Sequence, residues 1–497
     1  MSTQALSNLY AILGVPAEAT QDDIREAYRI AARRFHPDAN ANEGAEHQFR
    51  DIAAAYEVLG NPQRRYAYDE GRRATGDEPA YFSLRVTPSK RVLAALDEPQ
   101  VLYLLLEIAP LRELAKQQKR AVPLNLTLVL DRSKSMKGIR LDKLKIAAHQ
   151  IIESLSPEDR LALISFSDRA EVLIPAAPVT DTIALRAQVN LMRADGGTEI
   201  FHGLQAGIDE CRKHLSDRFV NHVVLLTDGR TFGDEERALE LASQAAAEGI
   251  GISAMGIGEE WNDEFLDALA SRTGGTSTYV TSPTAVVRFL NERVRSLGDT
   301  LVERLKLCVA PDADIVLESL FKLQPNPQPM ELSPQPVPLG SLEFNRTLMC
   351  LVQLQMPPGK RTGFRTVARI DVTGSVLIAE RQGYKVLSDI SVEIASNPPP
   401  EDPPIPILDA LGKLTLYRIQ EKAQQSLQKG NIAEATRRLE NLATRLLASG
   451  QEELAQMAII EARRVASTSL LSEEGRKTLK FGTRRLLSQP DPRDPDP

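Results

Sequence analysis

Five oxygen-bearing side chains stand at the ends of predicted strands or in loops. They are Asp131, Ser133, Ser135, Thr198 and Asp228. The first three form a D-x-S-x-S pattern after the apolar segment Leu124 to Leu130, and the last follows an apolar segment that ends at Thr227. Hydroxyl and carboxylate oxygens are the donors that a hard dication such as Mg²⁺ prefers, about six of them in near-octahedral geometry. These residue types therefore suit a magnesium-type site.

A second candidate functional element is the tripeptide His36-Pro37-Asp38, which stands between two amphipathic segments. Apolar residues recur at helical spacing before it, from Ile24 to Phe35, and after it, from Phe49 to Leu59. Pro37 stiffens the connection, so His36 and Asp38 are expected to be exposed. The opposite face of the first segment carries arginines at successive spacings of four: Arg25, Arg29 and Arg33.

Length and composition limit the classes of protein to consider. A chain of 497 residues is too long for one core and predicts roughly two to four domains. The formal net charge of -7 gives no indication of a nucleic-acid binder, which is usually basic. Three widely spaced cysteines, Cys211, Cys308 and Cys350, form no C-x-x-C pair and are interpreted as reduced thiols. With no signal peptide and no membrane-spanning segment in the sequence, we expect a cytoplasmic protein.

The segment 121–297 alternates apolar strands with helices, which predicts a doubly wound, mainly parallel sheet. Strands are expected at Leu124 to Leu130, Leu161 to Phe166, His222 to Leu226, Ile250 to Gly258 and Ser277 to Val280. Helices are expected near 141–155, 201–214, 234–248 and 263–271.

The remaining segments predict a multidomain chain of α and α/β parts. Residues 1–72 are expected to be helical, 73–80 a linker, and 81–120 and 298–395 β segments that join in one sandwich around the α/β domain. Separate β decorations flanking that domain remain the alternative. After a proline-rich linker at 396–404, helical hairpins of the tetratricopeptide kind are expected over 405–487, with Gln428 to Asn431 as a turn. Residues 488–497 are almost entirely proline and charge, which predicts disorder.

The first 72 residues resemble a J domain. The resemblance is carried by YAILGV at Tyr10 to Val15, the basic second helix, His36-Pro37-Asp38, the helix Gln48 to Leu59, and NPQRRYAYD at Asn61 to Asp69. It implies an all-α module that recruits a DnaK-type chaperone and stimulates its ATP hydrolysis. In that family the loop and the basic face contact the chaperone, which implies roles for Arg25, Arg29, Arg33 and Arg34. A merely solvated helix face is the alternative for each arginine.

Residues 121–297 resemble a Rossmann-like von Willebrand factor A domain with an intact metal-ion-dependent adhesion site. The resemblance implies that Ser133, Ser135 and Thr198 offer hydroxyl ligands to Mg²⁺ or another dication, while Asp131 and Asp228 act largely through bound waters or hydrogen bonds. It also implies that a partner protein supplies a carboxylate as the last ligand. Many members have glycine at the position of Lys134, but that position is not a ligand. A degenerate, metal-free domain remains the alternative.

The sequence gives little support to an enzymatic function. The chain has no phosphate-binding G-x-x-x-x-G-K-[ST], no H-E-x-x-H and no G-x-S-x-G. The glycines of 249–258 lie in or beside a strand rather than opening a helix, so they do not fit a dinucleotide site. A metal-dependent hydrolase that uses Asp131 normally needs a second carboxylate where Ser133 stands.

Our main functional hypothesis is a non-enzymatic adaptor. The J domain would recruit the chaperone, and the A domain would bind a partner or client protein through Mg²⁺, because this J domain is followed by no zinc-ligand cysteines and no Gly/Phe-rich linker. The alternative is a scaffold or regulatory assembly protein built on the A domain, with an accessory J domain.

Overall fold

The structure is a computed structural model, and it describes residues 8–75, 80–111, 122–231, 233–280, 282–359 and 361–487. The chain forms two compact units. The first comprises Met1–Lys119, Leu301–Pro325 and Pro329–Ile407, and the second comprises Arg120–Thr300, Asn326–Gln328 and Leu408–Pro497. The predicted tail 488–497 lies outside the described residues.

The N-terminal module of the first unit consists of helices α1 (Leu9–Leu13), α2 (Gln21–Phe35), α3 (Glu43–Leu59) and α4 (Pro62–Thr75). Helix α2 begins with a capping box, in which Thr20 Oγ1 accepts from the Asp23 amide while the Asp23 carboxylate accepts from the Thr20 amide. Apolar residues from all four helices form one core, which includes Tyr10, Phe35 and Leu59. Helix α4 reaches Thr75, so it extends into the segment that the sequence predicted to be a linker.

A β-sandwich completes the first unit. Its strands are β1 (Phe82–Pro88), β2 (Val92–Ala94), β3 (Gln100–Pro110), β10 (Thr300–Pro311), β11 (Val316–Gln324), β12 (Gln328–Met330), β13 (Val337–Glu343), β14 (Leu348–Met356), β15 (Gly363–Val376) and β16 (Arg381–Ala395). One sheet has the order β1-β3-β14-β11-β12 and the other β13-β10-β15-β16-β2. Buried residues of both sheets, such as Leu104 and Ile370, share one core.

The α/β domain is inserted between two strands of this sandwich. Strand β3, which precedes the insertion, pairs in antiparallel fashion with β14, which follows it, from Leu348 opposite Ile108 to Met356 opposite Gln100. The two β segments are therefore parts of one folding unit rather than separate decorations.

The second unit contains a six-stranded sheet with the order β6-β5-β4-β7-β8-β9. The strands are β4 (Leu124–Asp131), β5 (Arg160–Phe166), β6 (Ala170–Pro178), β7 (Val220–Thr227), β8 (Gly251–Ile257) and β9 (Ser277–Val280). The helices are α5 (Ile139–Ser154), α6 (Thr182–Asn190), α7 (Ile200–Arg212), α8 (Glu235–Glu248), α9 (Asp263–Arg272) and α10 (Pro283–Gly298). The sequence prediction of a mainly parallel α/β domain is confirmed.

Three elements of this domain were absent from the sequence prediction. Strand β6 is an edge strand that runs antiparallel to β5, and it is largely exposed, so its apolar pattern is weak. Helix α6 exposes most of its residues, and α10 directly precedes β10, where helical and β patterns adjoin.

The C-terminal helices are α11 (Ile405–Gln428), α12 (Ile432–Ala448), α13 (Glu452–Thr468) and α14 (Glu473–Arg485). Helices α12 and α13 pack as a hairpin around Leu439, Leu446 and Val465. None of the helices in the described part of the chain is long and apolar enough to cross a bilayer.

Ion pairs attach α14 to the α/β domain. Arg484 donates to both carboxylate oxygens of Asp267 in α9, from Nη1 to Oδ1 at 2.9 Å and from Nη2 to Oδ2 at 2.6 Å. Lys480 Nζ lies 2.8 Å from Oδ2 of the same carboxylate. Burial would raise the pKa of Asp267, but the charges and hydrogen bonds of Arg484 and Lys480 outweigh burial and hold that pKa well below its usual range. The pair is therefore charged at neutral pH, and its contribution is lost only in strong acid.

We expect Asp267→Asn to destabilise the second unit, because it leaves Arg484 and Lys480 beside an uncharged amide. Removing one partner of a buried ion pair costs about 3–5 kcal/mol. The exposed pair of Arg186 and Glu153 offers a matched control, and Glu153→Gln should cost less than about 1 kcal/mol. Urea unfolding can be followed by the single tryptophan, Trp261, which packs against Phe481 of α14. Equal losses in both variants would contradict this account.

Candidate metal site and chaperone-binding loop

The five oxygen-bearing residues lie at the carboxyl edge of the parallel sheet. Asp131 is the last residue of β4, and Asp228 follows the last residue of β7, its parallel neighbour. Ser133 and Ser135 belong to the turn after β4, and Thr198 to the loop before α7. Because β4 and β7 pair directly and end together, segments 97 residues apart in sequence (228 − 131) meet in space.

Hydrogen bonds connect four of these residues. The amide of Ser133 donates to Asp131 Oδ1 at 2.8 Å, and Ser133 Oγ lies 2.9 Å from Ser135 Oγ. Ser135 Oγ in turn donates to Asp228 Oδ1 at 2.6 Å. The structure thus brings Asp131, Ser133, Ser135 and Asp228 into one cluster.

Thr198 adjoins this cluster across a glycine. A Cβ added to Gly229, the neighbour of Asp228, would lie 2.9 Å from Thr198 Oγ1. Gly229 therefore allows the threonine hydroxyl to approach the Asp228 loop closely. The completed set contains three hydroxyls and two carboxylates, which are the donors of a site for a hard dication rather than for a soft metal.

Asp131 is fully buried, with its second carboxylate oxygen accepting from Thr227 Oγ1 at 2.6 Å. Burial raises the pKa of Asp131 to about 6, with the charge of Asp228 adding to the effect, although hydrogen bonds from Thr227 and Ser133 oppose it. Two carboxylates thus share a poorly solvated site, which favours the presence of a compensating cation.

Arg140, in the first turn of α5, is a site residue that the sequence analysis missed. Its Nη1 lies 2.5 Å from Asp228 Oδ2 and 3.4 Å from the Ser135 carbonyl oxygen. Gly258 accommodates it, since a Cβ there would approach Arg140 Nη2 to 3.2 Å. The only sequence signal was a basic residue shortly after the D-x-S-x-S pattern, and nothing in that spacing indicated Asp228 as its partner.

Lys134 makes no side-chain hydrogen bond to the five cluster residues in the described part of the chain. Its side chain is exposed and its amide donates to the Gly196 carbonyl at 3.1 Å. Its backbone is not among the positive-φ residues, so glycine is not required at this position. The departure from the usual pattern leaves the oxygen cluster intact.

The His36-Pro37-Asp38 loop connects α2 to α3 and is open to solvent. Asp38 donates its amide to His36 Nδ1 at 3.1 Å, and its carboxylate side chain is 90% exposed. The His36 ring packs edge-on against Phe49, 5.2 Å between centroids, and the side chain remains 45% exposed. These internal contacts hold the shape of the loop, while the side chains of His36 and Asp38 stay accessible to solvent.

The arginines of α2 divide into two groups. Arg25, Arg29 and Arg33 are exposed, and Arg25 makes only an exposed pair with Asp22 at 3.1 Å. Arg34, which the family resemblance grouped with them, instead binds the sandwich, with Nε 2.6 Å from Asp312 and Nη1 2.9 Å from Asp389. The available basic face is therefore Arg25, Arg29 and Arg33, without Arg34.

The N-terminal module docks against the outer face of sheet β13-β10-β15-β16-β2. Arg369 of β15 donates to the Ile12 carbonyl at 2.9 Å, and Asn40 donates to the Pro311 carbonyl at 3.0 Å. Gln48 bonds Asp371, and the amide of Gln335 donates to Glu43 at 3.1 Å. Gly44 lies so close to β10 that a Cβ would overlap the Val309 carbonyl oxygen.

Three residues at this docking interface, His47, Cys308 and Asp371, have side chains of the types that bind metals. Donor atoms of His47, Cys308 and Asp371 lie within 4.8 Å of one another. Lys385, however, bonds Asp51 and lies 3.7 Å from Asp371. Burial would lower the pKa of Lys385, but the carboxylates of Asp371 and Asp51 raise it, so the ammonium already supplies the positive charge. We interpret this group as an ion network that joins the two domains.

The three cysteines are free and buried. Burial raises the pKa of the Cys308 thiol well above its usual value, and that of Cys350 to about 12. Such thiols are unreactive, which agrees with the interpretation of all three as reduced.

Family comparisons match three parts of the chain. The DnaJ domain matches residues 8–69 and the von Willebrand factor type A domain matches 125–292. Residues 405–489 match the domain described as "Sll0103-like, C-terminal alpha-helical domain". The two family resemblances inferred from the sequence are confirmed, and the predicted C-terminal helical region coincides with the domain of this description.

Individual relatives extend these matches. The "Uncharacterized protein sll0103" of Synechocystis sp. is 30% identical over 392 residues, which cover 76% of this chain and 91% of that protein. The chaperone protein DnaJ of Caldicellulosiruptor saccharolyticus is 51% identical over 73 residues, or 14% of this chain. The chain spans only 19% of that DnaJ, so the similarity concerns the J domain alone.

Two solved structures share the fold over most of the chain. A von Willebrand factor type A protein from Catenulispora acidiphila aligns with a TM-score of 0.64 and 16% identity, covering 81% of this chain and 96% of its own. The ArnB paralog VWA2 from Sulfolobus acidocaldarius aligns with a TM-score of 0.51 and 14% identity, covering 83% and 100%. At these identities the likeness concerns the fold.

Docking of the J domain should require glycine at position 44, because a Cβ there would overlap the Val309 carbonyl oxygen. We expect Gly44→Ala to lower stability by about 1–3 kcal/mol, the usual cost of overpacking, and to increase hydrogen exchange in α3 and β10. Gly412, an exposed helical glycine with free space around it, provides the control. Gly412→Ala should be neutral or slightly stabilising, and unchanged exchange in Gly44→Ala would show that the close contact is not required.

Proposed function

This chain belongs to the Sll0103-like protein family, and we propose that it acts as a non-enzymatic adaptor. Its J domain recruits a DnaK-type chaperone and stimulates ATP hydrolysis by that chaperone. Its A domain binds a partner protein through a divalent cation. The three buried thiols support a reducing compartment, and we place this activity in the cytoplasm.

The observation that supports chaperone recruitment is that the His36-Pro37-Asp38 loop and the basic face of α2 stay exposed while the J domain is docked on the sandwich. His36, Pro37 and Asp38 remain accessible although the same domain buries Asn40 and Gly44 in the sandwich. Arg25, Arg29 and Arg33 are accessible as well, and an exposed positive face accelerates association with a negatively charged partner. The J domain therefore docks on the sandwich through a surface that is separate from the loop and basic face proposed to bind the chaperone.

Addition of this protein to a purified DnaK-type chaperone should raise the rate of ATP hydrolysis, and His36→Gln should abolish the increase. The substitution removes the imidazole from the loop without touching the buried core. His202→Gln, at an exposed histidine of α7, should retain full stimulation. Stimulation by neither the intact protein nor the control would exclude the recruitment role and favour the alternative of a scaffold with an accessory J domain.

The metal half is supported by the oxygen cluster at the sheet edge. Ser133, Ser135 and Thr198 would contribute hydroxyl ligands, while Asp131 and Asp228 would balance the charge. A bound Mg²⁺ supplies an electrophilic position that a carboxylate of the partner can occupy. Arg140 holds the Asp228 carboxylate from the side of α5, so the cation and the arginine would share its charge. A hydrolytic reaction has no support in this cluster, because Ser133 stands where a second carboxylate would be needed.

Mg²⁺ should stabilise the protein against thermal unfolding, and Ser133→Ala should remove most of that effect. A ligand that binds only the folded state stabilises by about 2.7 kcal/mol at a concentration a hundred times its dissociation constant. Ser243→Ala, at an exposed serine of α8, should respond to Mg²⁺ like the unaltered protein. Calorimetric titration with Mg²⁺ after chelation provides the second measurement. The metal hypothesis fails if the unaltered protein shows neither heat nor stabilisation.

A further inference from the structure

The outer face of strand β15 is only partly covered by the J domain. At one end Asp371 bonds Gln48, and further along Arg369 donates to the Ile12 carbonyl. A register shift between Thr366 and Ala368 adds one residue to the strand, so Thr366 and Arg369 point to the same outer face. Thr366 Oγ1 donates to Asp312 Oδ2 at 2.6 Å. The J domain thus covers this face from Asp371 as far as Asp312.

The border of the covered region is formed by the residues that flank the chaperone-binding loop. Arg34 Nε lies 2.6 Å from Asp312 Oδ1, on the carboxylate that also accepts from Thr366. Asn40, two residues after Asp38, donates to the neighbouring Pro311 carbonyl at 3.0 Å. Both ends of the His36-Pro37-Asp38 loop are therefore fixed at this border.

Phe364 lies on the same face just beyond the border. Side chains two positions apart on a strand share a face at a spacing of about 7 Å, which places Phe364 next to Thr366. The Phe364 residue is 86% exposed, the highest value among the large apolar residues of the described part of the chain. The adjacent Arg365 pairs with Asp314 at 2.5 Å. We call Phe364, Arg365 and Asp314 the sandwich rim.

We propose that the DnaK-type chaperone contacts the sandwich rim at the same time as the His36-Pro37-Asp38 loop. This inference rests on the proposed function. A stable protein interface covers about 800 Å² on each partner, which is more than a three-residue loop offers, so the contact surface must extend to neighbouring elements. The rim adjoins the loop through Arg34 and Asp312 and carries an exposed aromatic residue, the type that most often anchors interfaces.

The consequence is a composite binding surface that an isolated J domain lacks. The J domain supplies the loop and the basic face, and the sandwich supplies an apolar anchor beside them. Because the ion network of Asp51, Asp371 and Lys385 joins the two domains, both parts would meet the chaperone as one surface. The orientation of the bound chaperone is then set by this chain.

The test compares variants of the full chain in the stimulation of a purified DnaK-type chaperone. Phe364→Ser should raise the concentration needed for half-maximal stimulation about tenfold, the equivalent of losing one interface anchor. Phe364→Leu keeps an apolar side chain and should raise it much less. Ile183→Ser, at a residue of α6 that is 81% exposed, removes a similar apolar surface far from the loop in sequence and should have no effect.

Each outcome has a distinct meaning. If Phe364→Ser matches the unaltered protein while His36→Gln is inactive, the sandwich rim is not part of the interface, but chaperone recruitment stands. If Ile183→Ser weakens stimulation as much as Phe364→Ser, the effect is not specific and the inference is overturned. If the unaltered protein gives no stimulation, the proposed function itself fails. Thermal unfolding of each variant checks its folding, and if the serine variant proves unstable, Phe364→Ala takes its place and should weaken stimulation to a similar extent.

Discussion

The antiparallel pairing of β3 with β14 is the constraint on which the first unit depends. These strands come from chain segments on either side of the inserted α/β domain. Their nine paired positions, from Ile108 opposite Leu348 to Gln100 opposite Met356, join the segment before the insertion to the segment after it. Closing so long a loop costs conformational entropy that grows only slowly with loop length, and the shared apolar core of the two sheets offsets it. The sandwich in turn presents the outer face on which the J domain docks.

The face of the sandwich on which the J domain docks is lined by charged side chains. Arg34, Arg369 and Lys385 all lose water there, and each is placed against a carboxylate. A buried charge without a partner is strongly destabilising, whereas a complete network is tolerated and demands one geometry. Specificity of docking therefore comes from matched charges and from the close approach at Gly44, while the apolar core of the J domain remains its own, with Ala310 of the sandwich added to it.

The candidate metal site illustrates a different constraint. Two parallel strands that end side by side bring Asp131 and Asp228 together, and the structure surrounds them with hydroxyls and with Arg140. The raised pKa of Asp131 reflects the poor solvation of that edge. Arg140, 2.5 Å from Asp228 Oδ2, balances part of the negative charge at this edge. The His36-Pro37-Asp38 loop, by contrast, stays accessible to solvent, with only the His36 ring packed against Phe49.

The sequence by itself determined the modules and most of the candidate site residues. Helical periodicity around His36-Pro37-Asp38, strand–helix alternation and the D-x-S-x-S pattern of Asp131, Ser133 and Ser135 are local patterns, and local patterns are legible without a structure. Thr198 and Asp228 are distant in sequence and joined this set through the family resemblance. Only the tertiary structure decided that Arg34 serves docking, that Arg140 joins Asp228 and that Phe364 is exposed on the strand that the J domain contacts. Arg34 lies 278 positions from Asp312, and Arg140 lies 88 positions from Asp228. Side-chain periodicity reports which face a residue occupies, but not which distant element will cover that face.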